Sequence, residues 1–225
     1  MVTCDIILHG DLPDLCGGRQ EVVRRLPAPT SVKDALEALG IPHCEVGRVT
    51  VDGHPGNLAC PLRDGERLDA WPARPHDLAD PRFVCDQHLG KLVRRLRFCG
   101  FDTLWEPSWR EPVIARVAVR EGRTVLSRHR ALLKRSCITT ALLIRNDRAD
   151  DQLAEVIRRF KLAGRIARCG RCPHCNGRLV PTPKNRVPVA IPPKTAAWRD
   201  DYWVCAECGR LFWEGTHVLR LRDRL

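Results

Sequence analysis

Phe83-Val-Cys-Asp-Gln-His-Leu-Gly-Lys-Leu-Val-Arg-Arg-Leu-Arg-Phe-Cys-Gly-Phe-Asp-Thr103 is the stretch that decides the fold of this 225-residue chain. Phe83 to Cys85 form a short apolar run that ends on the carboxylate of Asp86. His88 to Cys99 then changes period. Leu89, Leu92, Val93 and Leu96 fall on one helical stripe, while Lys91, Arg94, Arg95 and Arg97 lie largely off it. Gly100 stops the helix, and Phe101 to Leu104 returns to a strand. A buried strand, a covering helix and a second strand make one α/β unit.

The same alternation continues toward the C-terminus. Val113 to Arg120 predicts a second helix, with Val113, Ile114, Val117 and Ala118 inward. Thr124 to Leu126 and Ala141 to Ile144 predict two more strands. Asp150 and Asp151 open a further helix, where acids suit the dipole, with Leu153, Val156, Ile157 and Phe160 on one face. This order implies an α/β body with a mostly parallel sheet and helices on both faces.

Toward the N-terminus the pattern differs. Val2, Cys4, Ile6 and Leu8 alternate as a half-buried strand, and Glu21 to Leu26 can return as its hairpin partner. Ser31 caps a helix, with Asp34 in an approximate capping box and Val32, Ala35, Leu36 and Leu39 on one face. Gly40 ends it. Val46 to Val51 is a strand closed by the Asp52-Gly53 turn, and Arg67 to Trp71 follows Asp64-Gly65. The order ββαββ is a β-grasp layout. Pro72 to Pro81 reads as a linker. The expected domains are therefore a β-grasp at 1–75, an α/β body at 82–164 and a cysteine-rich tail at 165–225, multidomain α+β and α/β.

In the tail, Cys172-Pro-His-Cys175 and Cys205-Ala-Glu-Cys208 are separated by 29 residues. Two thiolates three positions apart on a tight turn can grip one ion, and two such turns complete a tetrahedron. Structural Zn²⁺ on Cys172, Cys175, Cys205 and Cys208 is the expectation, with Gly177 and Gly209 supplying permissive backbone. Cys169, His174 and His217 are weaker competitors. The seven other cysteines read as buried inert thiols. The five tryptophans from Trp105 onward read as core or ribbon packing.

Charge is divided along the chain. Residues 1–79 carry a net of −4 and residues 80–225 a net of +15. A basic body favours a polyanion, nucleic acid above all, although a solvated basic surface would show the same arithmetic. No apolar run is long enough for a spanning helix, and no signal peptide opens the chain, so a cytoplasmic protein with no membrane partner is expected. Asp86 lies at the carboxyl end of the first body strand, where open α/β sheets bind ligands, yet it is equally placed to cap the next helix. Asp102, Glu111, Asp147, Asp150 and Asp151 also follow strands or start helices. Several of them converging would make an oxygen-rich site for Mg²⁺ or Mn²⁺.

These residues carry two resemblances. Helix Ser31–Leu39, Val49-Thr-Val-Asp-Gly53 and Leu62-Arg-Asp-Gly-Glu-Arg-Leu68 resemble the ubiquitin-like sulfur carriers of thiamine and molybdopterin synthesis. The terminal Gly-Gly that takes up sulfur in those carriers is missing here, which favours an interaction module for a protein partner. The Phe83–Thr103 stretch, Glu121-Gly-Arg-Thr-Val-Leu-Ser-Arg128, Leu132-Leu-Lys134 and Gln152-Leu-Ala-Glu-Val-Ile-Arg-Arg-Phe160 resemble the Mut-seven C-terminal RNase family. So do Arg171–Leu179 and Cys208–His217.

That second resemblance implies a PIN-like nuclease fold with a zinc ribbon and, in many members, a ubiquitin-like head. It implies that Asp86 is a catalytic acid, that Asp102 and Glu111 match further acids, and that Asp147 could supply a late one. Ser127-Arg128-His129 stands where the family has Thr-Arg-Asp, so an imidazole replaces an expected carboxylate. Asp86 and Glu111 would hold Mg²⁺ or Mn²⁺. Lys91, Arg94, Arg95, Arg97 and Arg128 would hold RNA. The expected function is a divalent-metal-dependent ribonuclease, a hydrolase of RNA phosphodiesters. The alternatives are a catalytically degenerate RNA-binding protein and a protein-interaction adaptor.

Overall fold

A computed structural model describes residues 1–27 and 29–214. Its first elements follow the alternation of the N-terminal sequence. Strand β1 (Val2–Leu8) buries Val2, Cys4, Ile6 and Leu8 and pairs antiparallel with β2 (Glu21–Leu26). After the short β3 (Thr30–Ser31), helix α1 (Val32–Ala38) starts at the Ser31 cap, whose oxygen accepts the Asp34 N–H at 3.1 Å. The reciprocal half of a capping box is replaced by the Ser31 hydroxyl donating to the Asp34 carboxylate at 2.7 Å. Next come β4 (Val46–Val51), β5 (His54–Gly56), β6 (Pro61–Leu62) and β7 (Arg67–Pro72). Asp52 and Gly53, at φ 49° and 78°, close the β4–β5 hairpin in a left-handed turn, which Asp tolerates and which Gly, lacking a Cβ, adopts freely. The five-stranded sheet has the order β2-β1-β7-β4-β5, with β1 and β7 parallel, which is a β-grasp.

Strand β8 (Phe83–Cys85) is fully buried, and α2 (Gly90–Phe98) presents Leu92, Val93 and Leu96 to the interior. Strand β9 (Thr103–Leu104) runs parallel to β8, and α3 (Glu111–Glu121) follows, ended by Gly122 at φ 62°. Strand β10 (Thr124–Ser127), α4 (Arg130–Leu133) and β11 (Ala141–Leu143) come next, with β10 and β11 parallel. Helix α5 (Ala149–Arg159) carries Asp150 and Asp151 in its first turn and buries Leu153, Val156 and Ile157. The parallel pairings bear out the α/β reading of the body.

The tail forms β12 (Leu179–Pro183), α6 (Pro193–Ala196), β13 (Asp201–Cys205) and β14 (Leu211–Phe212). The three strands make one antiparallel sheet over a small core of Cys169, Cys172, Leu179, Trp203 and Cys205. Trp198 departs from the expected packing. It is 55% exposed, with the Arg199 guanidinium 4.3 Å from its ring.

The chain divides into two compact units. One is Met1–Arg74 with Val125–Leu143, and the other is Pro75–Thr124 with Ile144–Leu225. Inside the first, the 125–143 segment is tied to the β-grasp by buried polar contacts. Glu45 accepts the Leu143 N–H at 2.8 Å, His43 Nε2 meets the Ile138 carbonyl at 2.7 Å, and Arg130 donates to the Leu15 carbonyl at 2.7 Å. Inside the second, residues Ala167 to Arg171 run across the end of α2. The N–H groups of Ala167, Gly170 and Arg171 bind the carbonyls of Cys99, Phe98 and Arg97 at the helix end, where the Arg97 carbonyl also accepts the Gly100 N–H at 2.8 Å. The approach needs glycine, because a Cβ on Gly170 would lie 2.5 Å from the Gly100 Cα.

Candidate functional site

The two Cys-x-x-Cys turns are built alike. In the first, the Asn176 N–H binds the Cys172 carbonyl and the Cys172 N–H binds the Gly177 carbonyl. In the second, Gly209 and Arg210 take the places of Asn176 and Gly177 about Cys205. The left-handed residue after each second cysteine is Asn176 at φ 69° and Gly209 at φ 67°. The permissive backbone assigned to Gly177 thus belongs to Asn176. Gly177 is required for space, since a Cβ there would lie 2.3 Å from the Glu207 side chain.

These turns bring Cys172, Cys175, Cys205 and Cys208 together, with their sulfurs all within 4.8 Å of one another. The Cys172–Cys208 and Cys175–Cys205 separations are 3.7 and 3.4 Å. A tetrahedral ion with bonds of about 2.3 Å needs sulfur edges of about 3.8 Å, so the four donors fit a thiophilic metal. Separations this long also exclude disulfides. No disulfide joins any of the twelve cysteines. Burial raises Cys175 and pushes Cys172 up to about 12. At Cys205 burial is outweighed by the Cys208 and Glu207 backbone N–H groups, and the thiol falls to about 7. The fifth candidate, Cys169, is buried in the ribbon core outside this cluster, and His217 lies outside the described residues. Of the seven thiols expected to be buried, Cys4, Cys85 and Cys99 are, Cys16, Cys44 and Cys60 are half-buried, and Cys137 is exposed.

The first turn is joined to the body. Arg97, expected on a solvent-facing nucleic-acid surface, is 6% exposed. Its guanidinium donates to the Thr103 carbonyl at 2.9 Å and to the carbonyls of His174 and Pro173 at 2.9 and 3.2 Å. Asn176 joins the same network, donating to Asp102 at 2.8 Å and accepting the Thr103 N–H at 3.2 Å. Asp102 also receives Arg123 at 2.9 Å, with Arg171 at 3.7 Å. Burial opposes the Asp102 charge, but the Arg123 and Asn176 hydrogen bonds prevail and hold its carboxyl below the ordinary value.

Asp86 is 4% exposed at the end of β8, and one of its oxygens accepts the His88 N–H at 2.9 Å. Strand-end acid and helix cap are thus the same residue. Glu111 is the half-buried first residue of α3. Asp147 is exposed in the loop before α5. Glu155, which the sequence reading passed over, accepts the Arg145 N–H and the Asn146 amide and so fixes that loop. Asp150 is ion-paired with Arg95 at 2.5 Å, and Asp151 lies 3.8 Å from Arg148. Lys91 and Arg94 are exposed on α2. Arg128 and His129 are exposed in the first unit, where the His129 N–H binds the buried Ser127 hydroxyl at 2.8 Å. Among the described residues, the four cysteines are the group of three or more potential ligands within 4.8 Å. Asp86, Asp102, Glu111 and Asp147 are not gathered that closely, and the pull of Arg123 on Asp102 is one reason.

A β-grasp sheet, a parallel α/β sheet and a ribbon whose four cysteines could hold a metal ion define, among the described residues, a mixed α/β protein. The chain belongs to the Mut7-C RNAse domain family, which it matches over residues 81–225. Residues 14–77 match the Mut7-C ubiquitin family. Solved structures similar to the chain include small archaeal modifier protein 1 of Haloferax volcanii. It is 21% identical, covers 32% of this chain and 98% of its own, and has a TM-score of 0.28. A molybdopterin converting factor subunit 1 from Pyrococcus furiosus is 20% identical over 32% of this chain and 98% of its own, with a TM-score of 0.27. No curated protein matches the chain. No helix among the described residues is long and apolar enough to cross a membrane.

Proposed function

We propose that this protein is a divalent-cation-dependent ribonuclease, a hydrolase of RNA phosphodiesters. The observation that carries the reading is a buried carboxylate, Asp86, at the carboxyl end of β8 in a chain of the Mut7-C RNAse domain family. Asp102 is committed to Arg123 and Asp150 to Arg95, so the acid set narrows to Asp86 and Glu111, with Asp147 as a third oxygen donor. Hard carboxylate oxygens suit Mg²⁺ or Mn²⁺, and the bound cation would offset the charge that develops at phosphorus. Lys91, Arg94 and Arg128 would hold the phosphates, while the burial of Arg97 removes it from that role. The domain order is a β-grasp head at 1–75, a PIN-like body at 82–164 and a ribbon at 165–225.

The cysteine cluster holds a structural zinc. Four thiolate ligands leave no open position for catalysis. Twelve cysteines with no disulfide between them fit a reducing, cytoplasmic setting. The ubiquitin-like head serves a protein partner.

A second reading is favoured by His129, an imidazole at the position of a family carboxylate. On that reading the protein binds RNA without cutting it. The test is incubation of the purified protein with labelled RNA and Mg²⁺ or Mn²⁺, with chelator as control. Cation-dependent fragments support the nuclease. Binding without fragments, together with cleavage gained on His129→Asp, would transfer the conclusion to the second reading.

A further inference from the structure

A cleft of about 860 Å³ lies between α2 and the second cysteine turn. Arg94, His174 and Arg210 supply its polar lining, and Val189, Leu211 and Phe212 supply its apolar wall. No carboxylate lines it. Among the described residues, neither Arg94 nor Arg210 has a hydrogen-bond or ion-pair partner for its guanidinium, and both are exposed. Arg210 is nonetheless held at its backbone, where its carbonyl accepts the Cys205 N–H at 2.9 Å. Phe212 is half-buried against the ribbon core.

We propose that this cleft binds a segment of single-stranded RNA, with phosphates on Arg94 and Arg210 and a base against Phe212. The proposal rests on the nuclease reading for the choice of polyanion. Its own warrant is the pairing of two unneutralised guanidiniums with an aromatic wall, in a body of net charge +15. A guanidinium meets phosphate with a bidentate fork, and an aromatic ring accepts any base on its face. An acidic peptide would use the arginines, but its Asp and Glu side chains offer no aromatic ring to stack on Phe212. A duplex keeps its bases stacked and away from the ring. The cleft thus assigns the ribbon a grip on substrate beyond its structural metal.

The experiment uses full-length zinc-loaded protein and a short end-labelled oligoribonucleotide, without added Mg²⁺ or Mn²⁺ so that the RNA stays intact. Arg94→Gln and Arg210→Gln are each expected to weaken binding about fivefold at 0.1 M salt. Each should lower the slope of log affinity against log salt by about 0.7. Phe212→Leu keeps the packing volume and should weaken binding several-fold with the slope unchanged. Metal analysis of each variant should return the wild-type zinc content.

Unchanged affinity and slope in both arginine variants would overturn the proposal, as would failure of the wild type to bind RNA. Loss of zinc in place of RNA binding would show that the arginines serve the thiolates, and would also overturn it. So would polyglutamate displacing the RNA at equal charge concentration. The nuclease reading fails separately. Binding that depends on the two arginines, with no cleavage when the cation is supplied, keeps the cleft and removes the enzyme. Cleavage lost in Asp86→Asn but unaffected in Arg210→Gln, with RNA binding unaffected there too, does the reverse.

Discussion

Arg97 shows what a helical wheel can and cannot say about a single residue. Four positions after Val93, it shares that residue's face, so the spacing already pointed inward. Its charge argued for solvent. The structure resolves the conflict by giving the guanidinium three carbonyl acceptors. Truncating it would strand these acceptors in a buried site. Arg97→Ala is therefore expected to cost about 3 kcal/mol, read as a lower urea midpoint. Arg94→Ala, one helical turn away and exposed, should cost under about 0.5 kcal/mol. The position of Asp86 at a strand end and at a helix cap was legible, because a short apolar run ending in an acid before a helix serves both. The partners of Asp102, Arg123 and Asn176, are 21 and 74 residues away and leave no local trace.

At the scale of elements, the strands, helices and their stops were largely legible. Periodicity located β1, α1, α2 and α5, and glycines closed α1, α2 and α3. The joint between α2 and the ribbon was not legible. Capping of α2 by Ala167 to Arg171 depends on a segment some 70 residues downstream, and its only sequence marks are two small residues, Gly100 and Gly170. The joint ties the four-cysteine cluster to α2. Zinc removal with a thiol-competing chelator should expose the amides of Gly170, Arg171 and Thr103 to rapid hydrogen exchange, while β1 and β7 keep their protection. Exchange that is unchanged in Thr103 would disconnect the two. Metal capture also has a predicted pH dependence. Cys172 is pushed up to about 12, so zinc must displace its proton at neutral pH. Adding zinc to metal-free protein at pH 7 should release protons, and affinity should fall as pH falls. Cys205, drawn down to about 7, contributes less of that release.

At the scale of the molecule, the compact units cut across the chain order. The 125–143 segment is held by Glu45, His43 and Leu15 of the β-grasp, so the head does more than decorate the body. Deleting residues 1–74 strips the buried Leu143 N–H of its acceptor and uncovers Ile138. The shortened chain is expected to lose its cooperative thermal transition and bind a hydrophobic dye. A sharp transition at the full-length temperature would show that the segment folds without the head. The charge division suggests domains with different partners, and it carries no sign of which segment joins which. The central claim is that the Asp86 carboxylate drives hydrolysis of RNA. The measurement is the single-turnover rate of RNA cleavage by wild type and Asp86→Asn, prepared in parallel and assayed with Mn²⁺. We predict a loss on the order of 100-fold or more with RNA binding retained, and equal rates for the two proteins would contradict the account.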